Sequence, residues 1–380
     1  MRRYYVLLIL FIFMKIMAQV RHYEFDSQLP VYYGEMKSVV RPALSHEFWV
    51  GDFAAWQRLA HSKLLELAGP FPPDTAFDAR VVGEEQREGY AALEIALNVS
   101  AWCRVSAYLL VPDGAEDVEG GCPAVVVMHD HGAHFSIGKE KVIRPIGRDS
   151  AVMADAAGWS ERCYGGVFIG DELARQGYVV LAIDAPYFGE RGSRGGSRYV
   201  DQQAIASNLL LLGYSWAGLT LHDDLRSLDY LRSLPYVDAG RIGAVGFSYG
   251  AYRAWMLSAA SLDVAATVSV CWMSSVAELV EPGNNITRGQ TSLSMYIPLL
   301  NHYLDFPDVA SIAGDTPALY IQGSEDKLFT PQSVERAFNI IRHCNVNAET
   351  VLDDEGHVLG AARQSVVWDF LNRHLRAAHD

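Results

Sequence analysis

The sequence predicts an α/β fold, a mostly parallel, doubly wound sheet with helices on both faces. Three observations predict it. Short, unbroken apolar runs recur along the chain beyond Ala124, helix-period segments separate them, and no internal repeat or low-complexity tract interrupts the alternation. Strands covered on both faces read as continuous apolar runs, and parallel neighbours need a crossover element between them, so the alternation itself implies a parallel sheet.

The expected strands are Ala124–Met128, Tyr178–Ile183, Ile242–Phe247, Ala266–Val270, Ala318–Ile321 and Glu349–Leu352. The helices expected between them are Asp171–Gln176, Thr220–Ser233, Ala251–Ala260 and Pro331–Arg342, with Ala361–Ala377 closing the chain. Upstream, Ala91–Leu97 and Arg104–Val111 alternate apolar with polar residues, which suits an antiparallel hairpin at a sheet edge. Phe48–Leu67 has helical spacing, with Phe53, Trp56, Leu59, Leu64 and Leu67 as its apolar stripe.

The N-terminus reads differently. Arg2 and Arg3 precede the apolar run Val6–Met14, and Ala18 offers a small residue for cleavage. The run is well short of the roughly 20 apolar residues that cross a bilayer. The expected organisation is a signal peptide over 1–18, an N-terminal extension with one helix over 19–69, and a catalytic domain over 70–380 with an insert at about 274–313. An exported protein, periplasmic or secreted and without stable membrane insertion, follows from that reading. A formal net charge of −14 argues against a nucleic-acid partner, because phosphate binding needs clustered Lys and Arg. The five cysteines, Cys103, Cys122, Cys163, Cys271 and Cys344, show no C-x-x-C spacing, which argues against a disulfide scaffold or a zinc ribbon.

The chemistry is written around Gly246-Phe-Ser-Tyr-Gly250, a G-x-S-x-G motif between the strand from Arg241 and a helix from Ala251. A strand-to-helix turn exposes a serine hydroxyl, and the flanking glycines let neighbouring backbone pass. Ser248 is therefore the expected nucleophile. In a doubly wound sheet the partners belong on loops at the carboxyl ends of later strands. Asp326 follows the strand Ala318–Ile321 and is the expected acid; His357 follows Glu349–Leu352 and is the expected base. The order Ser248, Asp326, His357 fits this elbow. Glu325, Asp353 and Asp354 also stand near strand ends, where they are more simply solvated loop charges.

An oxyanion hole needs two backbone N–H donors. Tyr249 supplies one, and the loop His129-Asp-His-Gly-Ala-His134 supplies the other, with His131 preferred over the alternative register at His129. The same loop, His129-x-His131-x-Ala133-His134, is close to a zinc signature, although Ala133 stands where that signature has Asp. No cofactor is expected, and a zinc-dependent hydrolase is the remote alternative.

These residues resemble the α/β-hydrolase superfamily in its dienelactone-hydrolase and acetyl-xylan-esterase-like branch, from about Ala91 to Leu375. Gly177–Arg191 is similar to the D-x-x-x-x-G-x-R stretch of bacterial carbohydrate esterases, and His222–Asp238 resembles the helix and turn before their elbow. The resemblance implies the α/β-hydrolase fold and an ester hydrolase that passes through an acyl-enzyme on Ser248. Two departures matter. Dienelactone hydrolases carry cysteine at the elbow, so lactone opening is disfavoured here. Prolyl-oligopeptidase-type peptidases carry a long β domain for which this chain has no room, which leaves a serine peptidase as the second enzymatic reading. A fold retained as an inactive binding protein is the non-enzymatic alternative, disfavoured by the intact Ser248, Asp326 and His357.

For substrate, His134, Glu190, Arg191 and Trp272 are the expected contacts. A structural ion pair is an equal reading for Glu190 and Arg191. The aromatic segments Trp272–Met273 and Met295–Leu304 either cap a pocket or pack as an accessory helix. The expected partner is a small-molecule or carbohydrate ester.

Overall fold

The computed structural model describes residues 25–26, 29–280 and 293–376. The predicted signal peptide and residues 281–292 of the predicted insert lie outside the described residues.

One nine-stranded sheet organises the chain. Its strands are β1 (Arg80–Arg87), β2 (Tyr90–Ser100), β3 (Cys103–Pro112), β4 (Cys122–Met128), β5 (Val179–Ile183), β6 (Val237–Phe247), β7 (Ala266–Val270), β8 (Ala318–Gly323) and β9 (Ala348–Asp353). The spatial order is β9-β8-β7-β6-β4-β5-β3-β2-β1. Pairings from β9 through to β5 are parallel, and those from β5 to β1 are antiparallel. This is the α/β-hydrolase arrangement the sequence predicts. The chain leaves β4 for β5 on one side and then crosses to β6 on the other, so strand order reverses at β4. The crevice at such a reversal is where open α/β sheets place their ligands.

Register keeps the strand ends level. Met128 pairs with Gly246, Phe247 with Val270, Ile321 with Val270, and Gly323 with Asp353. The loops that follow β4, β6, β8 and β9 therefore open on one rim.

The pleat sorts the core. Val125 and Val127 join Leu173 and Phe370 on one face, while Ala124, Val126 and Met128 join Leu228 and Leu257 on the other. The first face is covered by Ser150–Tyr164, Ile169–Arg175 and Ala361–Leu371; the second by Trp216–Arg232 and Tyr249–Ala260. Phe53–Ala68 lies outside the second layer, capped by Asp52, which accepts the Ala55 N–H at 3.0 Å. It approaches Trp216–Arg232 so closely that a Cβ on Gly218 would lie 1.9 Å from the Ala68 carbonyl oxygen.

Several local expectations are corrected. A third antiparallel strand, β1, forms the sheet edge outside the predicted hairpin; its residues are mostly exposed, so it carries no clear alternation. Ser150–Tyr164 and Gln202–Leu211 are helices that periodicity missed, one because it is rich in Ala, the other because Leu210 and Leu211 face solvent. The buried stripe of Phe53–Ala68 is Trp56, Ala60, Leu64 and Ala68; Leu59 is 50% exposed. The described parts of the segment expected as an insert pack inward, with Met295, Ile297, Leu300 and Leu304 in the core and Met295 O accepting from Tyr252 at 3.0 Å. No single helix among the described residues is long and apolar enough to cross a membrane.

Trp56 is fully buried and donates from Nε1 to Leu44 O at 2.7 Å. Trp56→Ala is expected to cost about 3–5 kcal/mol in urea unfolding, whereas Leu59→Ala should stay within about 0.5 kcal/mol of the native protein.

Candidate active site

The site is built from the turn after β6. A single residue, Ser248, separates β6 from the helix Tyr249–Ala260, and it holds φ 55°, ψ −121°. A non-glycine residue with φ in this range carries strain of order 1–3 kcal/mol. What forces it is the closeness of the surrounding backbone. A Cβ on Gly246 would lie 2.0 Å from Gly250, and a Cβ on Gly250 would lie 1.9 Å from the Met128 carbonyl oxygen. Ser248 N–H donates to Val270 O at 2.8 Å, and Tyr252 N–H donates to Ser248 O at 3.1 Å, so the turn is held at both ends.

His357 and Asp326 meet this serine. Ser248 Oγ lies 2.8 Å from His357 Nε2, and His357 Nδ1 lies 2.7 Å from Asp326 Oδ2. Asp326 is buried and fixed by the Leu328 N–H on Oδ1 at 2.9 Å and by Gln322 Nε2 on Oδ2 at 2.9 Å. With Nδ1–H donating to the carboxylate, Nε2 is left to accept the serine proton. Ser248 is 8% exposed and the His357 side chain 26%, so the imidazole is the most accessible member of the series.

Sequence reasoning missed what positions His357. Arg363, on the closing helix, donates to Asp353 Oδ2 at 2.7 Å and Gly356 O at 2.9 Å, with further bonds to Asp353 Oδ1 and Val358 O. It thereby pins the loop on both sides of the histidine. Gly323 lets that loop close in, because a Cβ there would lie 1.9 Å from Glu355 O. Phe247 packs its ring 4.9 Å from the imidazole. Asp353, one of the competing acids, is thus committed to Arg363.

The loop after β4 uses its histidines as braces. His129 Nε2 accepts the Ala185 N–H at 2.9 Å, which leaves Nδ1–H to donate to Asp130 O at 2.8 Å. His131 Nδ1 accepts the Ala133 N–H at 2.9 Å, which places its proton on Nε2; the Gln202 amide 3.2 Å away accepts that proton only through its oxygen. Burial holds both imidazoles neutral: His129 is pushed well below its ordinary range and His131 down to about 3, with the Lys141 charge adding to each. His134 Nε2 lies 2.7 Å from Asp155 and its ring stacks on Trp159 at 4.5 Å. Both ring nitrogens of His129 and of His131, and Nε2 of His134, are thus engaged within the protein.

Among the described residues, potential metal-binding side chains crowd within 4.8 Å of one another at Cys271, Asp326 and His357 instead. There the Arg363 guanidinium stands 3.1 Å from Cys271 Sγ and opposes a cation.

Of the remaining predicted residues, Tyr249 and His131 lie side by side with ring centroids 5.9 Å apart. Glu190 pairs with Lys139 at 2.7 Å and Arg148 at 2.8 Å. Arg191 pairs with Asp223 at 2.7 Å and donates to Asp184 O at 3.0 Å. Each thus braces the loop through partners of its own, and not through a single ion pair joining the two as the sequence suggested. Trp272 is buried among Tyr252, Trp255, Phe306 and Phe329. His134, with a side chain 28% exposed, is the one of the four expected contacts that combines exposure with a place on the loop after β4.

Comparison with known proteins fits this architecture. The sequence model of a family described as the Abhydrolase family matches residues 29–352. The Bacillus subtilis protein YtaP, whose name assigns it only the class hydrolase, is 27% identical over 274 residues, 72% of this chain and 83% of its own length. Dipeptidyl-peptidase 5 of Porphyromonas gingivalis is 32% identical over 89 residues, 23% of this chain and 11% of that protein. Among solved structures, a Bacteroides fragilis protein described as a candidate acetyl xylan esterase superposes with a TM-score of 0.64 at 19% identity, covering 84% of this chain and 80% of that one. A glucuronoyl esterase from Solibacter usitatus superposes with a TM-score of 0.58 at 11% identity, covering 94% and 99%. These two share the fold.

The neutrality of buried His131 has a pH consequence. The unfolded chain takes up a proton as pH falls through 6.5, while the folded chain does not until about 3. Stability is therefore fully present above that upper value and lost below it, by about 2 kcal/mol at pH 5. His131→Asn keeps an acceptor near Nδ1 and should remove this part of the difference between urea unfolding at pH 7 and pH 5. An unchanged difference would contradict it.

Proposed function

The chain belongs to the abhydrolase family, and from that premise we propose that it is a serine-dependent carboxylic ester hydrolase acting through an acyl-enzyme. One observation carries the proposal: the hydrogen-bonded series from Ser248 Oγ through His357 to the buried Asp326, at 2.8 and 2.7 Å.

The steps follow from those positions. Ser248 Oγ attacks the ester carbonyl carbon while His357 Nε2 takes its proton. Negative charge gathers on the carbonyl oxygen, where the Tyr249 N–H at the helix start and an N–H of the His129–His134 loop receive it. Collapse breaks the bond to the alcohol oxygen, and His357 returns the proton to that leaving group. Water, deprotonated by the same imidazole, then attacks the acyl-serine and releases the acid. Asp326 keeps the imidazole oriented and stabilises its cation without itself taking the proton.

For substrate, the names of the structural relatives, an acetyl xylan esterase and a glucuronoyl esterase, support an acyl or uronate ester of a carbohydrate. The N-terminal run Val6–Met14 behind Arg2 and Arg3 supports export, where such polymers are met. A second reading, hydrolysis of peptides, has the short stretch shared with dipeptidyl-peptidase 5 in its favour.

The test is hydrolysis of p-nitrophenyl acetate, with and without a chelator, by the native protein, Ser248→Ala and Asp326→Asn. Activity should survive the chelator and vanish in Ser248→Ala. In Asp326→Asn, kcat should fall on the order of 10³–10⁴-fold, because the imidazole loses its orienting carboxylate. Activity that persists in Ser248→Ala, or that the chelator abolishes, would overturn the proposal. Acetate release from acetylated xylan oligosaccharides, set against alcohol release from uronate methyl esters, then separates the two sugar classes.

A further inference from the structure

Lys141 is a buried cation for which the proposed chemistry has no direct use. Its side chain is fully buried, its Nζ donates to Asp130 O at 2.9 Å and to His131 O at 3.0 Å, and Asp130 Oδ1 lies 3.7 Å away. The rings of Trp159 and Phe188 flank it, each centroid 4.9 Å from Nζ. Asp130 is held in turn by Trp159 Nε1–H and Tyr164 O–H, both donating to Oδ2 at 2.9 Å. Desolvating an ammonium to this degree costs several kcal/mol, and an apolar side chain of similar size is often no less stable in such a place. Burial accordingly pulls the Lys141 pKa down, against the pull of Asp130. Stability alone does not account for a lysine here.

What the ammonium holds is two consecutive peptide groups. A trans peptide is planar, with its carbonyl oxygen and the following N–H pointing in opposite directions. Fixing Asp130 O and His131 O on one donor therefore turns the N–H groups of His131 and Gly132 away from Lys141. A positive charge on the carbonyl side also polarises each peptide, which makes its N–H a stronger donor. The residues just before these peptides lie against the serine turn, with Met128 O and His129 O 1.9 and 3.0 Å from where a Gly250 Cβ would be, and within the peptides the His131 ring meets Tyr249 edge-on. Gly132 is held in its positive-φ conformation against Trp159, whose ring carbon would lie 2.3 Å from a Cβ there.

We propose that Lys141 is the positioning residue of the oxyanion site, fixing and polarising the peptides between Asp130 and Gly132 so that their N–H groups meet the charge that develops on the substrate carbonyl oxygen. The inference rests on the acyl-transfer reading given above. Lys141 touches no substrate; it acts through the backbone it holds.

The experiment measures kcat and KM for p-nitrophenyl acetate, the affinity for an aryl trifluoromethyl ketone, and Tm, in the native protein, Lys141→Met and Lys141→Gln. The ketone adds to a reactive serine and leaves an oxyanion, so it reports on the oxyanion site directly. In Lys141→Met, kcat should fall on the order of a hundredfold with KM within about twofold, and ketone affinity should fall by the same factor as kcat/KM. A merely structural lysine would lower Tm while leaving kcat of the folded protein and ketone affinity in place. That result, with kcat within about threefold of native, would overturn the inference. If the methionine variant does not fold, Lys141→Gln, which keeps a neutral donor, should still lose about tenfold in both quantities; parity with native would again overturn it. Failure of the native protein to hydrolyse the ester, or survival of activity in Ser248→Ala, would instead strike the acyl-transfer reading.

Discussion

The backbone of Ser248 is the constraint around which the rest of the molecule is arranged. At φ 55° and ψ −121° it stands in a conformation that a side-chain-bearing residue does not adopt unaided. It is over-determined from three directions. The helix that starts at Tyr249 presses on β6 through Gly246, β4 presses on that helix through Gly250, and β7 captures the Ser248 N–H. The strain at one residue is offset by packing and hydrogen bonds distributed over three strands and a helix. A hydroxyl held this way is fixed where it meets His357 Nε2 at 2.8 Å.

The loop after β4 is secured by buried charge as well as by close packing. Lys139, fully buried, bonds Asp184 at 3.0 Å, Glu190 at 2.7 Å and Glu140 at 3.2 Å. Burial works against its ammonium, but these carboxylates hold its pKa above the ordinary range. Asp184 also takes the N–H groups of Lys139 and Glu190, at 2.7 and 3.1 Å, which ties the loop to the end of β5. Buried ion pairs of this kind contribute little net stability, because desolvation consumes most of the Coulomb gain. Their effect is geometric. Breaking one member would leave an unpaired buried charge, so alternative loop conformations are strongly disfavoured. Lys141 on the Asp130 and His131 carbonyls adds to this, and Arg363 on the Gly356 and Val358 carbonyls does the same for the loop that carries His357.

Much of this was legible in the sequence, for reasons that differ by element. The parallel strands announced themselves because burial on both faces demands unbroken apolar runs. The strand-to-helix turn at Ser248 was readable because its glycines are sterically required. Asp326 and His357 followed from chain order and strand ends. Edge strand β1 was not legible, since an exposed strand keeps no hydrophobic alternation. Leu59 was placed on the wrong face because apolar identity in a helix does not reveal whether a neighbour exists to cover it. The buried cations were invisible for a deeper reason. Lys139, Lys141 and Arg363 look like surface residues by composition, and only the folded chain supplies the buried carboxylates and carbonyls that make them interior. Glu190 and Arg191 were legible as a pair of charges, but the sequence left open whether they face a ligand or each brace the loop.

The central claim, that Ser248 accepts the acyl group, is tested most directly by rapid-quench peptide mass spectrometry during turnover of p-nitrophenyl acetate. The account predicts one acetyl group on the peptide containing Ser248, appearing before steady state and clearing as substrate is exhausted. Turnover with no acetylated peptide, even when deacylation is slowed by low temperature, or with the acetyl group on another residue, would contradict it.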